Sequence, residues 1–419
     1  MSHLQSIKIL SLAAILAGSF FVACGVTEED PSNQLNEINA CEDEPCEEYE
    51  EPDKPEEPEE PELCDGVDRT GSDTWDIVVP DDCETIQQAL DAAASTGIEG
   101  SVLVRPGTYV ENLDFGGARI TLKSMEGPQE TILDGSDNLA AVVTFESGET
   151  SASTLEGFTI TKGRGNLYDD GSRAGGGVWI NGASPTLRDL IIENNQAEGA
   201  VSYGGGIHME RSASSLENVV VAANQSAYYG GGIHVSVSDD ATFKNIVVAA
   251  NNSLYGGGLA TYYSSVETTN AIIIGNTASF GAGIFVQSET PRFANASVHG
   301  NSGDGVRVLS GDVEFVNVII SGSTDHGLHV EEGTVDVRYS NLWDNAAGAI
   351  TGSAAPSSGD GNLVEDPRFM DISSPNWQSW DLTLHQDSPL IDAGDPALED
   401  PDGSRSDIGA YGGPGAADW

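Results

Sequence analysis

The feature of the sequence that most constrains its fold is a repeat of 21 to 29 residues that runs through residues 172–348. Each repeat carries a glycine-rich step and a short run of β-branched residues, as in LENVVVAAN at 216–224. A period in the twenties is typical of a solenoid, whose coils stack and share one core. The glycines that end the steps are Gly177, Gly206, Gly232, Gly258, Gly283, Gly305, Gly327 and Gly348.

Two polar columns accompany the β-branched runs, one ahead of each run and one six residues later. Stacked strands lie about 4.8 Å apart, so equivalent residues form ladders, and an Asn amide can bond the residues above and below it. The leading column is Asp189, Asn218, Asn245, Asn270, Asn295, Asn317 and Tyr339. The trailing column is Asn195, Asn224, Asn251, Asn276, Asn301, Ser323 and Asn345. Both columns are predicted to be structural ladders.

Upstream of the repeats, residues 86–93 have an amphipathic helical pattern that ends before Gly97. Because a solenoid needs its open end covered, this pattern predicts a capping helix. Short β-branched segments at 102–104, 120–122, 131–135 and 157–160 predict the strands of the first coils.

Residues 86–135, with PGTY at 106–109 and TILDG at 131–135, resemble the opening of the pectate-lyase-like β-helix superfamily. The repeats of 195–286 are similar to those of polymorphic outer-membrane proteins, and 388–413 resembles the closing segment of bacterial surface β-helix proteins. The resemblance implies an all-β, right-handed, single-stranded parallel β-helix solenoid of about 10–12 coils with an N-terminal capping helix. It is specific for fold, because this superfold carries lyases, hydrolases, epimerases and adhesins.

The first residues have the layout of a secretory signal, with Lys8, an apolar run and small residues before Cys24. The residues around Cys24 resemble a bacterial lipobox, which implies a lipidated cysteine and anchorage at the outer membrane or cell surface. An ordinary signal peptide, cleaved nearby without lipidation, is the alternative. We expect a signal peptide at 1–23 and a lipidated, acidic, Pro/Glu-rich stalk at 24–74.

The charge of the chain limits the classes of partner that it can bind. Residues 28–64 hold 17 acidic residues and one basic residue, against a formal net charge of −50 for the whole chain. The remaining body is therefore also acidic, which makes it a poor candidate for nucleic acid. Partners other than the membrane are expected to be a polysaccharide or another surface protein.

Four cysteines besides Cys24 lie in or beside the stalk. Export favours their oxidation, so two disulfides are expected, with three pairings left open. A zinc site is the alternative, although the paired short spacings of zinc modules are missing. The four are Cys41, Cys46, Cys64 and Cys83.

The body divides into a parallel β-helix at 75–360 and closing coils with a cap at 361–419. Within the cap, Asp400, Asp402 and Asp407 lie on a turn rich in Gly and Pro. Oxygen ligands on a loop suit Ca²⁺, so structural calcium is one interpretation and a solvated loop is the other. No other cofactor is required by the sequence.

An aromatic column precedes the glycine steps at Tyr203, Tyr229, Tyr255 and Phe280. Stacked aromatic residues indicate either a stabilising ladder or a platform that binds sugar rings or a protein partner. His208 and His234 occupy equivalent places after Gly-Gly-Gly-Ile and are expected to stack one coil apart as outward-facing strand residues, with a metal site as the alternative.

No catalytic residue is predicted. His326 lies in an Asp-His-Gly turn, but the companion acidic and basic residues of β-helix hydrolases are missing, and only seventeen basic residues occur in the chain. The expected function is a non-catalytic surface lipoprotein, adhesin-like or structural, whose repeat faces bind glycan or protein. A polysaccharide lyase or hydrolase is the alternative, with its cleft expected near the irregular stretches 163–172 or 354–380.

Overall fold

The computed structural model describes Cys64 and residues 75–96, 100–352, 357–358, 361–374 and 376–416. The helical elements of these ranges are α1 (Ile86–Thr96) and a short 3-10 turn at Trp377–Ser379. The strands are β1 (Trp75–Val79), β2 (Gly100–Val104), β3 (Gly107–Tyr109), β4 (Leu113–Asp114), β5 (Ile120–Ser124), β6 (Thr131–Asp134), β7 (Val143–Phe145), β8 (Thr154–Glu156), β9 (Thr159–Thr161), β10 (Asn166–Leu167), β11 (Arg173–Ala174), β12 (Val178–Asn181), β13 (Thr186–Glu193), β14 (Ser202–Tyr203), β15 (Ile207–Glu210), β16 (Ser215–Ala222), β17 (Ile233–Ser236), β18 (Asp239–Ala249), β19 (Leu259–Tyr262), β20 (Ser265–Ile274), β21 (Ile284–Gln287), β22 (Arg292–His299), β23 (Val306–Ser310), β24 (Asp312–Ser321), β25 (His326–Val330), β26 (Thr334–Arg338), β27 (Asn341–Trp343), β28 (Gly348–Gly352), β29 (Ser357–Ser358), β30 (Phe369–Asp371) and β31 (Asp381–Leu384).

The strands wind into a right-handed parallel β-solenoid of about 11 turns, which confirms the predicted fold class. One long sheet runs through β2, β5, β8, β13, β16, β18, β20, β22, β24 and β26, and a second runs from β4 through β7, β12, β15, β17, β19, β21, β23 and β25 to β28. Equivalent residues stack in register, so that Leu216 pairs with Leu187 below it and Phe243 above it. All three side chains are buried in the core between the sheets.

The leading polar column marks a corner of each coil. In β13, Asp189 has a φ of 51° and separates the half of the strand that pairs with β8 from the half that pairs with β9. The Asn residues of this column have φ between 49° and 56°. Asn tolerates this left-handed conformation better than most residues do, which explains why it recurs at the corner.

The trailing column is a buried amide ladder. The Oδ1 atom of Asn251 accepts hydrogen bonds from the backbone N and the Nδ2 of Asn224, at 2.9 and 3.1 Å. Its own Nδ2 donates to the carbonyl of Val221 at 2.9 Å and to Oδ1 of Asn276 at 3.1 Å. The same pattern joins the coils from Asn195 to Asn301, where each side chain is at most 1% exposed. Each amide thus satisfies backbone groups that would otherwise be buried without partners.

The substitution Asn251→Leu is expected to lower the free energy of unfolding by at least about 2 kcal/mol, because it leaves several buried polar groups without partners. Urea unfolding followed by circular dichroism measures the change. The neighbouring Asn252 is exposed, so Asn252→Leu is the matched control and should have little effect. Equal destabilisation by both variants would contradict a structural role for the ladder.

Helix α1 covers the first coils, as the sequence predicts. Thr85 and Gln88 form a reciprocal capping pair, in which each side chain accepts a hydrogen bond from the other residue's backbone N–H at 3.2 Å. The carboxylate of Glu111 accepts the first two helical N–H groups. Ile86 and Leu90 are fully buried in the main core. Among the described residues, no helix combines the length and apolarity that crossing a bilayer requires.

Cys64 and Cys83 form a disulfide, which is one of the pairings that the sequence leaves open. Cys24, Cys41 and Cys46 lie outside the described residues, as do the expected signal peptide and all of the expected stalk except Cys64.

The last described residues, 388–416, form a C-terminal strap that runs back along the solenoid over the leading column. Asn270 donates to two strap carbonyls at 2.8 and 2.9 Å. Asn295 and Asn317 both donate to the hydroxyl of Ser406 at 3.1 Å. The strap therefore replaces the coil-to-coil bonds that the earlier members of this column make, such as Asn245 to Asn218.

Candidate functional site

The predicted aromatic column is present on the outside of the second sheet. Backbone bridges place Tyr203, Tyr229, Tyr255 and Phe280 in one register. Successive ring centroids lie 6.2, 5.1 and 4.7 Å apart, and all four side chains are half-buried. The column is thus a continuous ladder, and only its first half, Tyr203 and Tyr229, lines the cleft described below.

A histidine pair lies beneath this half of the ladder. His208 of β15 and His234 of β17 pair in register, their rings stack at 5.0 Å, and their Nδ1 atoms are 3.0 Å apart. The side chains are only 2% and 4% exposed, because Tyr203 and Tyr229 both stack on His234 at 5.4 Å. The stacking agrees with the sequence-based expectation. The histidines face outward from the coil, but the tyrosines shield them from solvent.

Tyr168 completes the group from an irregular excursion of the chain. This excursion includes β10 and β11, which pair with each other, and β11 also pairs with β14 beside the coils. The Tyr168 hydroxyl donates to Oε2 of Glu210 at 2.6 Å and lies 2.9 Å from Nε2 of His208. Its ring packs on Trp179 at 4.7 Å. The stretch 163–172 was one of two places where the sequence predicted room for a cleft, but the roles of Tyr168 and Glu210 were not predicted.

These side chains surround an open cleft of ≈ 420 Å³. It combines aromatic faces with two carboxylates and two imidazoles, which is the mixture of apolar walls and a few polar groups that small-ligand sites share. The lining residues are Tyr168, Asp170, Ser172, Tyr203, His208, Glu210, Tyr228, Tyr229, His234, Ser236 and Tyr262.

Burial and charge set the ionisation of the cleft. Burial lowers the pKa of His208. Burial and the nearby His208 also lower the pKa of His234, well below its usual value. The His208 imidazole, whose Nε2 is 4.0 Å from the carboxylate, and the Tyr168 hydroxyl lower the pKa of Glu210 to about 2. Burial and the Glu210 charge raise the pKa of the Tyr168 hydroxyl. At neutral pH the cleft therefore holds an ionised Glu210, neutral imidazoles and a protonated Tyr168.

One arrangement of protons satisfies all these contacts. A carboxylate only accepts, so Tyr168 donates to Glu210 and its oxygen accepts from Nε2–H of His208. The Nδ1 of neutral His208 then accepts from Nδ1–H of His234. This leaves Nε2 of His234 as an unprotonated acceptor, and that atom is buried and has no hydrogen-bond partner among the described residues.

Folding should become less stable as the pH falls through the ordinary histidine pKa of about 6.5, because the unfolded chain then binds protons that the buried imidazoles refuse. His234→Ala copies Ala260, which occupies the same register one coil later. This variant should reduce the slope of unfolding free energy against pH between pH 5 and 7 by up to about 1.4 kcal/mol per pH unit. Urea unfolding at several pH values measures the slope.

Asp407 also titrates in this range, because burial raises its pKa to about 6. Its effect on the pH dependence of stability has the opposite sign to that of the histidines, so the slopes of the two proteins are compared with each other. Asp407 is present in both proteins and cancels from the difference. Identical slopes for wild type and His234→Ala would contradict a neutral, buried His234.

The carboxylates of the acidic loop accept hydrogen bonds from other residues of the C-terminal strap. Asp400 accepts hydrogen bonds from the backbone of Asp407 and Gly413, and Asp402 accepts from the backbone and hydroxyl of Ser404. Asp407 accepts from the backbone N–H of the residue at 392. These contacts hold the turn, and calcium binding at Asp400, Asp402 and Asp407 stays a prediction.

Comparison with known families finds one matching family model. Residues 205–364 match the family model described as a right handed beta helix region. This match agrees with the right-handed parallel β-helix fold of the described coils. No curated protein matches the sequence.

Solved structures with similar folds have diverse descriptions. ORF18 of Geobacillus virus E2 is 12% identical, with a TM-score of 0.46 over 67% of this chain and 59% of the viral chain. The A-module of mannuronan C-5 epimerase AlgE6 from Azotobacter vinelandii is 16% identical, with a TM-score of 0.33 over 67% and 93%. PfbA, a surface adhesin of Streptococcus pneumoniae, is 11% identical, with a TM-score of 0.27 over 66% and 87%. At these identities the likeness is one of fold alone.

Proposed function

We propose that the chain is a glycan-binding surface protein and that the aromatic cleft is its binding site. The observation that carries this proposal is that stacked, half-buried tyrosines and ionised carboxylates line one open cleft. Sugar rings pack their apolar faces on aromatic rings, while their hydroxyls donate hydrogen bonds to groups such as Glu210 and Asp170.

The charge of the cleft favours a neutral glycan. Glu210 is held ionised, and hydrogen bonds from Ser172 lower the pKa of Asp170. Glu210 is paired with Arg211, but Asp170 and the formal net charge of −50 of the chain still repel a polyuronate. A neutral polysaccharide with free hydroxyls avoids this repulsion.

The expected lipid anchor at Cys24 and the acidic stalk would hold this β-helix at the bacterial outer membrane. This placement supports an adhesin-like role, in which the cleft contacts glycans outside the membrane.

Tyr229→Ala should weaken glycan retention by about fivefold, because it removes a stacking face worth on the order of 1 kcal/mol. Affinity electrophoresis on a panel of neutral and acidic polysaccharides measures retention. Phe280→Ala is the matched control, since Phe280 belongs to the same ladder but does not line the cleft.

If both variants lose stability and keep their retention, the column is a ladder only and the binding proposal fails. Retention of acidic polysaccharides in preference to neutral ones would contradict the charge argument.

A second candidate function, cleavage of a glycan, is favoured by the hydrogen-bonded group of Tyr168, His208 and His234. The Tyr168 hydroxyl lines the cleft and is hydrogen-bonded to Glu210 and His208, a network that can pass a proton to or from a bound substrate. Groups of this kind serve as the base and acid of elimination or hydrolysis.

Under this second candidate, Tyr168→Phe should lower turnover by about 10²-fold or more, the range over which general acid–base groups contribute. Release of reducing ends and absorbance of unsaturated products, with and without Ca²⁺, measure turnover. Tyr228→Phe removes a different cleft hydroxyl and is the control. Absence of turnover above a heat-treated sample would leave the protein a binding protein.

A further inference from the structure

A second polar cluster lies on the same sheet, beyond the end of the aromatic column. The register of the second sheet carries one column through His208, His234 and Ala260, then through Phe285 and Arg307 to His329. His329 therefore lies on the same outer face as the cleft, five coils after His208. Asp304 and His326 lie beside it, each directly before the final glycine of its coil.

Differences in loop length between coils explain why a side chain fits at the position directly before the final glycine. In earlier coils the residue before the final glycine is Gly231 or Gly257, and a Cβ there would lie 2.5 Å from the carbonyl oxygen of Asn252 or Thr277. In these coils the loop of the following coil, which carries the aromatic residues, packs against the residue before the final glycine. After Phe280 these loops are three residues shorter, so the position is uncovered, and successive coils place Ala282, Asp304 and His326 there.

The geometry of the cluster is that of a metal site. The distance from Asp304 Oδ1 to His326 Nδ1 is 3.5 Å, and that from Asp304 Oδ2 to His329 Nδ1 is 3.4 Å. One oxygen or nitrogen of each residue lies within 4.8 Å of the others. Ligands bound to Zn²⁺ at about 2.0–2.2 Å in a tetrahedron are about 3.4 Å apart. Each imidazole lies at about this distance from one oxygen of the Asp304 carboxylate, Oδ1 for His326 and Oδ2 for His329.

One nitrogen of the cluster lacks a hydrogen-bond partner among the described residues. His326 Nδ1 is buried, lies 3.0 Å from an oxygen of Asp325, and forms no hydrogen bond among the described residues. Asp304 is 2% exposed, whereas the two imidazoles are about one-quarter exposed. Solvent therefore reaches the open side of the cluster while the carboxylate anchors it from below.

The local charge also favours a cation. Asp304, Asp325 and Glu331 carry three negative charges against the single positive charge of Arg307. Arg307 contacts Asp304 at 3.2 Å and is held separately by Glu331 and by the ring of Phe280 at 4.8 Å. It can thus keep its place when Asp304 turns to bind an ion.

We propose that Asp304, His326 and His329 bind one divalent transition-metal ion of the zinc type, with at least one coordination position open to solvent. Two imidazoles and one carboxylate suit Zn²⁺, Co²⁺ or Ni²⁺ and are a poor set for Ca²⁺, which takes oxygen ligands. The site is independent of the glycan-binding proposal, since it shares no residue with the aromatic cleft.

The test is titration of the full-length, untagged, chelator-treated protein with ZnCl₂ in a calorimeter. Wild type should bind zinc, and His329→Ala should weaken that binding by more than about 100-fold, because even indirect partners of a metal ligand cost 10–100-fold. The matched control is His385→Ala, which removes an exposed histidine that also contacts a carboxylate, at 3.6 Å from Asp387. It should bind zinc as wild type does.

Cobalt spectroscopy provides a second readout. Bound Co²⁺ should give a visible spectrum distinct from the aqueous ion and without the thiolate bands that Cys41 and Cys46 would produce. Asp304→Asn, which keeps the shape of the side chain, should abolish this spectrum even if His329→Ala fails to fold. Wild-type zinc affinity in His329→Ala, an unchanged cobalt spectrum in Asp304→Asn, or displacement of zinc by millimolar Ca²⁺ would each overturn the proposal.

Discussion

The rest of the structure depends on the buried amide ladder of the trailing column. A parallel solenoid has no hairpin turns to set its register, so neighbouring coils need another device to align them. Each Asn side chain bonds the backbone N–H and the amide of its neighbours, as Asn224 and Asn251 do at 2.9 and 3.1 Å. A slip by one residue would break these bonds and turn the core side chains outward.

Constant register with variable loop length explains where the candidate sites lie. The final glycine follows the trailing Asn by eight residues after Asn224 and by four after Asn301. The longer loops place tyrosines over the outer face of the second sheet and shield the histidine pair. The shorter loops leave that face uncovered, so Asp304 and His326 project where glycine stands in earlier coils. One face therefore carries two chemically different sites.

The leading column shows that one residue type can have different partners along a stack. Asn218 and Asn245 bond each other across coils, whereas Asn270, Asn295 and Asn317 bond the C-terminal strap. Their common property is the left-handed backbone at the corner of the coil. Conformation therefore explains why Asn recurs, and the surroundings decide what its amide contacts.

The sequence by itself determined the solenoid, the two polar columns, the capping helix and the register of the aromatic column, because each depends on local residue type and a fixed period. The stacking of His208 on His234 followed from the same period. The contacts of Tyr168 with Glu210 could not be read in this way, since an irregular excursion brings Tyr168 to a coil some forty residues later. Aligning the glycine steps places Asp304 beside His326, but only the tertiary structure showed that His329 joins them and that shorter loops leave the cluster open. Period and composition determine a repeating backbone. The sites arise where loops depart from the repeat, and only the tertiary structure shows which side chains those loops bring together.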